Sequence, residues 1–136
     1  MPARPETWNR FTLLPDSRPA SKPLKLITAV FHPARLRLIQ GFLSRLGLRK
    51  LLITEVQVAD RGTDSIEVYR GEGVAVPASR VKIEIAVDDD DTRVVIQTIV
   101  HGLRAGTRAL MECNILVSEV EQAIRISTGE TGIAAL

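Results

Sequence analysis

Strand-like and helix-like periods follow one another closely in this chain, and that order constrains the fold most. Residues 24–31, LKLITAVF, form an apolar, β-branched run between Pro23 and Pro33, which is typical of a buried strand. In residues 34–47 the spacing becomes helical, and Gly47 is suited to end the helix. The side chains predicted to face inward from this helix are Leu36, Ile39, Phe42, Leu43 and Leu46. A strand joined this closely to a helix predicts a sheet with the helix packed on it.

The same change of period returns after residue 50. Residues 51–58 predict a second strand, and residues 80–87, RVKIEIAV, predict a third. Apolar side chains alternate strictly in the third strand, and those on one face are Val81, Ile83, Ile85 and Val87. Residues 92–106 predict a second helix. Its inward side chains are expected to be Val95, Ile96, Ile99, Val100 and Leu103.

The remaining sequence predicts a fourth strand over residues 113–117 and one or two helical turns over residues 118–124. The order β-α-β-β-α-β is that of the ferredoxin-like α+β sandwich, in which two helices pack on one face of an antiparallel sheet. The other face of such a sheet needs a cover. We therefore expect sister subunits to meet there and the chain to be an oligomer.

Proline sets residues 1–23 apart from the rest of the chain. Five of the seven prolines lie there, which predicts a flexible tail before a domain over residues 24–136. Within the tail, Trp8 and Phe11 either fold back on the domain or a neighbouring subunit, or dock on another protein. A second irregular segment, residues 59–79, is long for a loop in a compact domain, so it is either functional or partly disordered.

Composition excludes several classes of function. A net charge of +2 is too small for charge-driven binding of nucleic acid, so no such partner is expected. Cys113 is the single cysteine, so no intramolecular disulfide can form, which favours a reducing, cytoplasmic location. The N-terminus has no uninterrupted apolar run of the length of a signal peptide or a membrane span, so neither an export signal nor a spanning segment is expected.

Candidate catalytic and metal-binding groups are few. His32, His101 and Cys113 lack the spacing of a nucleophile and its base, so no enzyme activity is predicted. A histidine beside a proline, such as His32, is more often a turn residue. A lone cysteine such as Cys113 is more often a small buried hydrophobe. The acidic run Asp88–Asp91 precedes the second helix, where carboxylates cap free amides and meet the positive end of the helix dipole. Capping is therefore preferred over the alternative, a divalent-metal site.

Four short strings at matching spacing resemble a known family. They are TEV at residues 54–56, YRG at residues 69–71, VKIEIAV at residues 81–87 and IRISTGE at residues 124–130. With these strings, the chain resembles the PII signal-transduction proteins from Lys25 onward. The resemblance implies a ferredoxin-like trimer that binds ATP or ADP in clefts between adjacent subunits. It also implies a long loop, residues 57–80, that changes shape with the ligand and docks on a transporter, an enzyme or a transcription regulator.

The resemblance also implies a set of nucleotide-binding residues. Val30 and Val58 match strand positions that line the adenine, and Arg80 matches a lysine beside the phosphates. The glycine-rich phosphate loop of the family is replaced after the second helix by AGTRALMECN. The residues kept in approximately equivalent places are Gly106, Thr107 and Arg108. Fewer glycine amides and lysine charges then surround the phosphates, which weakens the grip on a triphosphate.

Near the end of the sequence, Arg125 matches the first arginine of the family's Arg-x-Arg phosphate grip, and Ser127 stands at the second. Thr128 is expected to donate its hydroxyl to the anion, and Gly129 to let the backbone approach it. With one arginine replaced and the loop reduced, the predicted ligand is ADP or AMP in preference to ATP.

A PII body with a reduced phosphate loop is similar to the PII-like proteins of inorganic-carbon metabolism, which lie near carboxysomes and bicarbonate transporters. This similarity implies a cytoplasmic or carboxysome-associated sensor in which bicarbonate binds Arg125 and nearby amides. Two alternatives stay open: a nitrogen-type sensor of ATP and 2-oxoglutarate, and a trimer that acts on partners without nucleotide. The sensor requires a basic set to converge on one cleft, namely Arg80, Arg104, Arg108 and Arg125.

Overall fold

The structure, a computed structural model, describes residues 23–48, 50–59, 77–105 and 113–136, together with the backbone of residues 66–69 and 72–75. The strands are β1 (Leu24–Phe31), β2 (Leu52–Val58), β3 (Ile66–Tyr69), β4 (Glu72–Ala75), β5 (Ala78–Asp88) and β6 (Asn114–Val120). The α-helices are α1 (Leu36–Arg45) and α2 (Thr92–Arg104). Short 3-10 turns span Pro33–Arg35, Asp89–Asp91 and Gly132–Ala135.

Four of the strands form one antiparallel sheet in the order β2-β5-β1-β6, and β3 and β4 form a separate two-stranded sheet. The register is continuous across the main sheet, because Val30 lies opposite both Lys82 of β5 and Asn114 of β6. The first and third predicted strands are therefore neighbours at the centre. This arrangement confirms the predicted ferredoxin-like α+β fold.

The core lies between this sheet and the two helices. Alternate side chains of β1 and β5 are buried, namely Ile27, Ala29, Phe31, Val81, Ile83, Ile85 and Val87. The helices cover them with Ile39, Leu43, Val95, Ile99 and Leu103. Gly102 lets the helices approach closely, because a Cβ atom built there would lie only 2.5 Å from Cδ1 of Ile39.

The other face of the sheet carries alternate residues of the same strands. Its large apolar side chains include Leu52 on β2 and Leu116 on β6, which are 61% and 65% exposed. Val30 and Val58 lie on this face and are half-buried. The chain alone therefore leaves apolar surface of the sheet in solvent.

Side-chain caps start both helical segments. Nδ1 of His32 accepts a hydrogen bond of 3.1 Å from the amide of Ala34, and Pro33 occupies the first position of the turn. In the acidic run, Oδ1 of Asp88 accepts a hydrogen bond of 3.1 Å from the amide of Asp90. The predicted turn role of His32 and capping role of the aspartates are confirmed by these bonds.

Three local predictions were wrong. The helical turns predicted over residues 118–124 do not form, because residues 118–120 continue β6 and pair with β1. Leu46 lies at the end of α1 and is 41% exposed instead of inward. The segment 59–79 is not irregular throughout, since it contains the β3–β4 hairpin and its last two residues belong to β5. The predicted tail lies, up to residue 22, outside the described residues.

Candidate functional site

Arg80 stands at one end of the main sheet, opposite Val56 of β2. Its side chain is half-buried, and Nη1 donates a hydrogen bond of 2.7 Å to the main-chain oxygen of Ser79. Arg80 lines a cleft of ≈ 490 Å³ between β2, β5 and the turn that begins α1. Pro33 and Ile53 contribute apolar surface to this cleft, and Glu55 contributes a carboxylate. An arginine in a partly apolar cleft can hold an anionic group and an apolar group together.

The two valines predicted to line the adenine lie near Arg80. Val58 is opposite Ala78, two residues before Arg80 on β5, and Val30 is opposite Lys82, two residues after it. The three predicted residues therefore occupy the same end of the sheet. Both valines face the side of the sheet away from the helices, whereas Pro33 and Ile53 of the cleft lie on the helix side. A ligand that contacts the valines and enters the cleft at Arg80 would therefore have to pass around the end of the sheet.

Cys113 immediately precedes β6 at this same end. It is half-buried and packs against the core cluster. Burial raises the pKa of the Cys113 thiol, and the charges of Arg80 and Arg35 lower it by smaller amounts. Both guanidinium groups therefore act on this part of the sheet. Arg35, two residues after Pro33, was not predicted as a site residue.

A second group of predicted residues lies in a closed turn after β6. Ile124 bridges to Thr131, and the amide of Arg125 donates a hydrogen bond of 2.8 Å to the oxygen of Glu130. The oxygen of Arg125 accepts in turn from the amide of Gly129 at 2.7 Å. Gly129 has a φ angle of 75° and is buried, so glycine is favoured here over a residue with a Cβ atom.

The turn uses several of the donors that were expected to bind an anion. The amides of Thr128 and Gly129 donate to the oxygen of Arg125, and the amide of Glu130 donates to Oγ1 of Thr128 at 3.2 Å. Nη2 of Arg125 donates to the main-chain oxygen of Leu136 at 2.8 Å. A guanidinium carries five N–H donors, so this bond does not prevent Arg125 from binding an anion as well.

The two groups start from opposite ends of β6. Asn114 lies beside Val30, near Arg80, whereas Val120 lies beside Leu24 at the far end of the sheet. The seven residues of β6 span about 20 Å. The chain thus leaves the sheet toward Arg125 at the end remote from Arg80, and no described contact joins these two arginines.

Other predicted site residues contribute less. Gly106, Thr107 and Arg108 lie outside the described residues. Arg104 is exposed at the end of α2. Among the side chains that the structure describes, no cluster of His, Cys, Asp or Glu could hold a metal ion. Within the same part of the chain, neither helix has the length and hydrophobicity to cross a membrane.

Comparisons with known proteins match nearly the whole domain. The family model described as "Nitrogen regulatory protein P-II" matches residues 24–130. Nitrogen regulatory protein P-II of Cereibacter sphaeroides is 37% identical over 110 residues, which are 80% of this chain and 96% of that protein. GlnK of Escherichia coli K12 is 35% identical over 114 residues, which are 83% of this chain and 100% of that protein. The structure of Arabidopsis thaliana PII bound to citrate covers 89% of this chain and 98% of its own, with a TM-score of 0.67 and 28% identity.

Proposed function

The chain belongs to the P-II family of nitrogen regulatory proteins, and we propose that it binds an adenine nucleotide in clefts between subunits. The protein is regulatory, and residues 57–80 transmit the ligand state to a partner, either a transporter or an enzyme. The observation that carries this proposal is the position of Arg80, on a cleft at the base of that segment. Val30, Val58, Arg80, Arg125, Thr128 and Gly129 all lie within the residues that match the family.

We propose that an oligomer completes the site. The family resemblance implies that it has three subunits. Within one chain, Arg80 lies near the first residue of β6, whereas the segment that carries Arg125 leaves the sheet after the last residue of β6. In the proposed assembly, Arg125 of a neighbouring copy completes the site at Arg80. The exposed Leu52 and Leu116 on that face support such an assembly, because burying them removes apolar surface from water.

ADP or AMP is the preferred ligand in this proposal, because few donors remain for a third phosphate. Ser127 stands in place of a second arginine, and the turn amides of Thr128 and Gly129 already donate within the chain. Among the described residues that were predicted to bind the phosphates, Arg80 and Arg125 then supply the main positive charges. A shorter phosphate chain needs fewer such contacts.

A small anion with a carboxylate-like CO2 group is a second ligand of the proposed site. The Arabidopsis relative was solved with citrate, which supports binding of a carboxylate anion by proteins of this family. Bicarbonate is the anion that we propose, and it places the chain in inorganic-carbon metabolism, in the cytoplasm or near carboxysomes. The curated relatives are named nitrogen regulatory proteins, which favours one alternative: a sensor of ATP and 2-oxoglutarate.

The β3–β4 hairpin is the part of the chain that we propose to signal. In the sequence the hairpin lies between β2 and β5, and Arg80 is two residues after the first residue of β5. A ligand held by Arg80 would therefore act directly on the base of the hairpin, and two hairpin arrangements of different ligand affinity would change population. The predicted Trp8 arm is a second candidate for partner contact.

The test is isothermal titration of the protein with ATP, ADP and AMP, each with and without bicarbonate or 2-oxoglutarate. Binding of ADP or AMP that bicarbonate strengthens is the expected result. Binding of ATP that 2-oxoglutarate and magnesium strengthen would instead establish the nitrogen-type sensor. If no nucleotide binds under any condition, the proposal fails and the protein acts as a nucleotide-independent interaction partner.

A further inference from the structure

Arg35 lies in the 3-10 turn that joins β1 to α1. Its amide donates a hydrogen bond of 3.0 Å to the oxygen of His32, which fixes the turn directly after the strand. The turn contacts β5, and its first residue, Pro33, lines the same cleft as Arg80. Arg35 is half-buried, whereas Arg37, two residues further along, is exposed. The fold therefore holds one arginine of this helix start close to the sheet.

The sheet register brings Arg80 to the same place. Phe31 is opposite Val81 on β5, and Val30 is opposite Asn114 on β6. Continued by one residue, this register places Cys113 opposite Phe31. Arg80 then lies one residue beyond the row formed by Cys113, Phe31 and Val81. Arg35 follows the same end of β1. Both arginines and the Cys113 thiol thus lie at one end of the sheet.

The electrostatics of the Cys113 thiol agree with this placement. The charges of Arg80 and Arg35 both lower the pKa of the Cys113 thiol, against the larger effect of burial. Two guanidinium groups near one thiol place two cations at this end of the sheet. An anion bound there could accept hydrogen bonds from both of them.

We propose that Arg35 and Arg80 together form a subsite for the phosphates of the nucleotide, with Arg35 supplying a charge at the start of α1. The inference rests on the proposed function for the identity of the ligand. Two guanidinium groups match a diphosphate better than a single carboxylate, because each can bind one phosphate by two parallel hydrogen bonds. Arg35 thereby offsets the arginine that Ser127 replaces.

The single thiol provides a direct readout of this subsite. Alkylation of Cys113 with iodoacetamide is timed with and without inorganic pyrophosphate, in the unmodified protein and in Arg35→Ala and Arg37→Ala. Comparison of the two rates within each protein cancels any direct effect of the substitution on the thiol. Arg37→Ala is the matched control, since it removes an exposed arginine from the same helix start.

Pyrophosphate is expected to slow alkylation at least fivefold in the unmodified protein and in Arg37→Ala. In Arg35→Ala the slowing should fall below twofold, and Arg35→Lys should restore part of it. Absence of protection in the unmodified protein, or equal protection in Arg35→Ala and Arg37→Ala, would overturn the subsite. Circular dichroism of each variant verifies that the fold is retained.

Titration of the same proteins with ADP separates this inference from the proposed function. Pyrophosphate protection that depends on Arg35, without ADP binding, would uphold the anion subsite and reject the nucleotide. ADP binding that is equally tight in Arg35→Ala and Arg37→Ala would uphold nucleotide binding and reject the role of Arg35. Loss of ADP affinity by about tenfold in Arg35→Ala alone is the result expected if both hold.

Discussion

Nη2 of Arg125 donates a hydrogen bond of 2.8 Å to the main-chain oxygen of Leu136, eleven residues further along the chain. Within the same turn, the amide of Arg125 donates to the main-chain oxygen of Glu130, and the oxygen of Arg125 accepts from the amide of Gly129. One residue thus closes the turn with its backbone and carries, on its side chain, the charge proposed to bind phosphate. Substitution of the side chain leaves the backbone bonds in place, so the two roles can be separated.

Arg125→Ala is expected to weaken ADP binding at least tenfold while lowering the free energy of unfolding by less than about 1 kcal/mol. The stability change is small because the lost hydrogen bond is exposed to solvent. Titration calorimetry and thermal unfolding measure the two effects. Arg93→Ala, an exposed arginine at the start of α2, is the control. Unchanged ADP affinity in Arg125→Ala would remove this residue from the site.

Gly129→Ala is expected to destabilise the turn by about 1–2 kcal/mol, because the φ angle of 75° is unfavourable for a residue with a Cβ atom. Hydrogen exchange of residues 123–136 reports the local effect, and thermal unfolding reports the global one. Gly41→Ala is the opposite control. That glycine lies inside α1 with open space around it, so alanine there should stabilise by up to about 1 kcal/mol.

If Gly129→Ala leaves hydrogen exchange in the turn unchanged, the left-handed conformation is not required there. Gly129→Asn provides a graded comparison, because asparagine tolerates that conformation better than alanine. Its exchange rates should lie between those of the unmodified chain and Gly129→Ala.

The Cys113 thiol should titrate at higher pH in the folded protein than in the unfolded chain, because burial raises its pKa. The folded state then holds the proton more tightly. Stability from this group is complete below the unfolded pKa and is lost as the pH rises through the folded pKa. The pH dependence of iodoacetamide alkylation, measured with and without denaturant, locates both midpoints.

Arg35→Ala should move the folded midpoint of Cys113 to still higher pH, since it removes a charge that lowers the pKa. Arg37→Ala should leave the midpoint where it is. A folded midpoint at or below that of the denatured chain would contradict the burial of this thiol.

Leu116→Asp should break the proposed oligomer while leaving the subunit folded, because it places a carboxylate on the open face of the sheet. Size-exclusion chromatography with light scattering measures the mass, and circular dichroism measures the fold. Val94→Asp changes a similarly apolar, 43% exposed side chain on α2 and should leave the assembly intact. A monomeric unmodified protein, or an assembly that survives Leu116→Asp, would contradict an interface on this face.

Periodicity predicted the central elements because it reports burial directly. The strand over residues 24–31 was predicted with the bounds that β1 has, and the alternation of Val81 and Ile83 in β5 matches their burial. The end of β6 was missed because residues 118–120 gain their strand conformation from pairing with β1. Glu119 also accepts a hydrogen bond of 3.1 Å from Lys25 across the two strands, and a distant partner of this kind leaves no local pattern.

The candidate site was predictable only in part for a similar reason. Arg80 and the two valines were placed by the family resemblance, and they lie at one end of the sheet. Arg35 is one of several arginines around the first helix, and its spacing alone does not reveal which of them lies near β5. The internal hydrogen bonds of the Arg125 turn are equally absent from the sequence pattern, since they depend on how the chain closes.

The hairpin segment is anchored by the pairing of Val58 with Ala78, the last pair between β2 and β5. Opposite residues in such a pair have Cα atoms about 5 Å apart, so the segment leaves and re-enters the sheet at almost one point. Its length and sequence can therefore change over evolutionary time with little effect on the core. If the segment contacts the partner as proposed, the partner can diverge while the body of the domain is inherited unaltered, and grafting the segment between relatives is structurally simple.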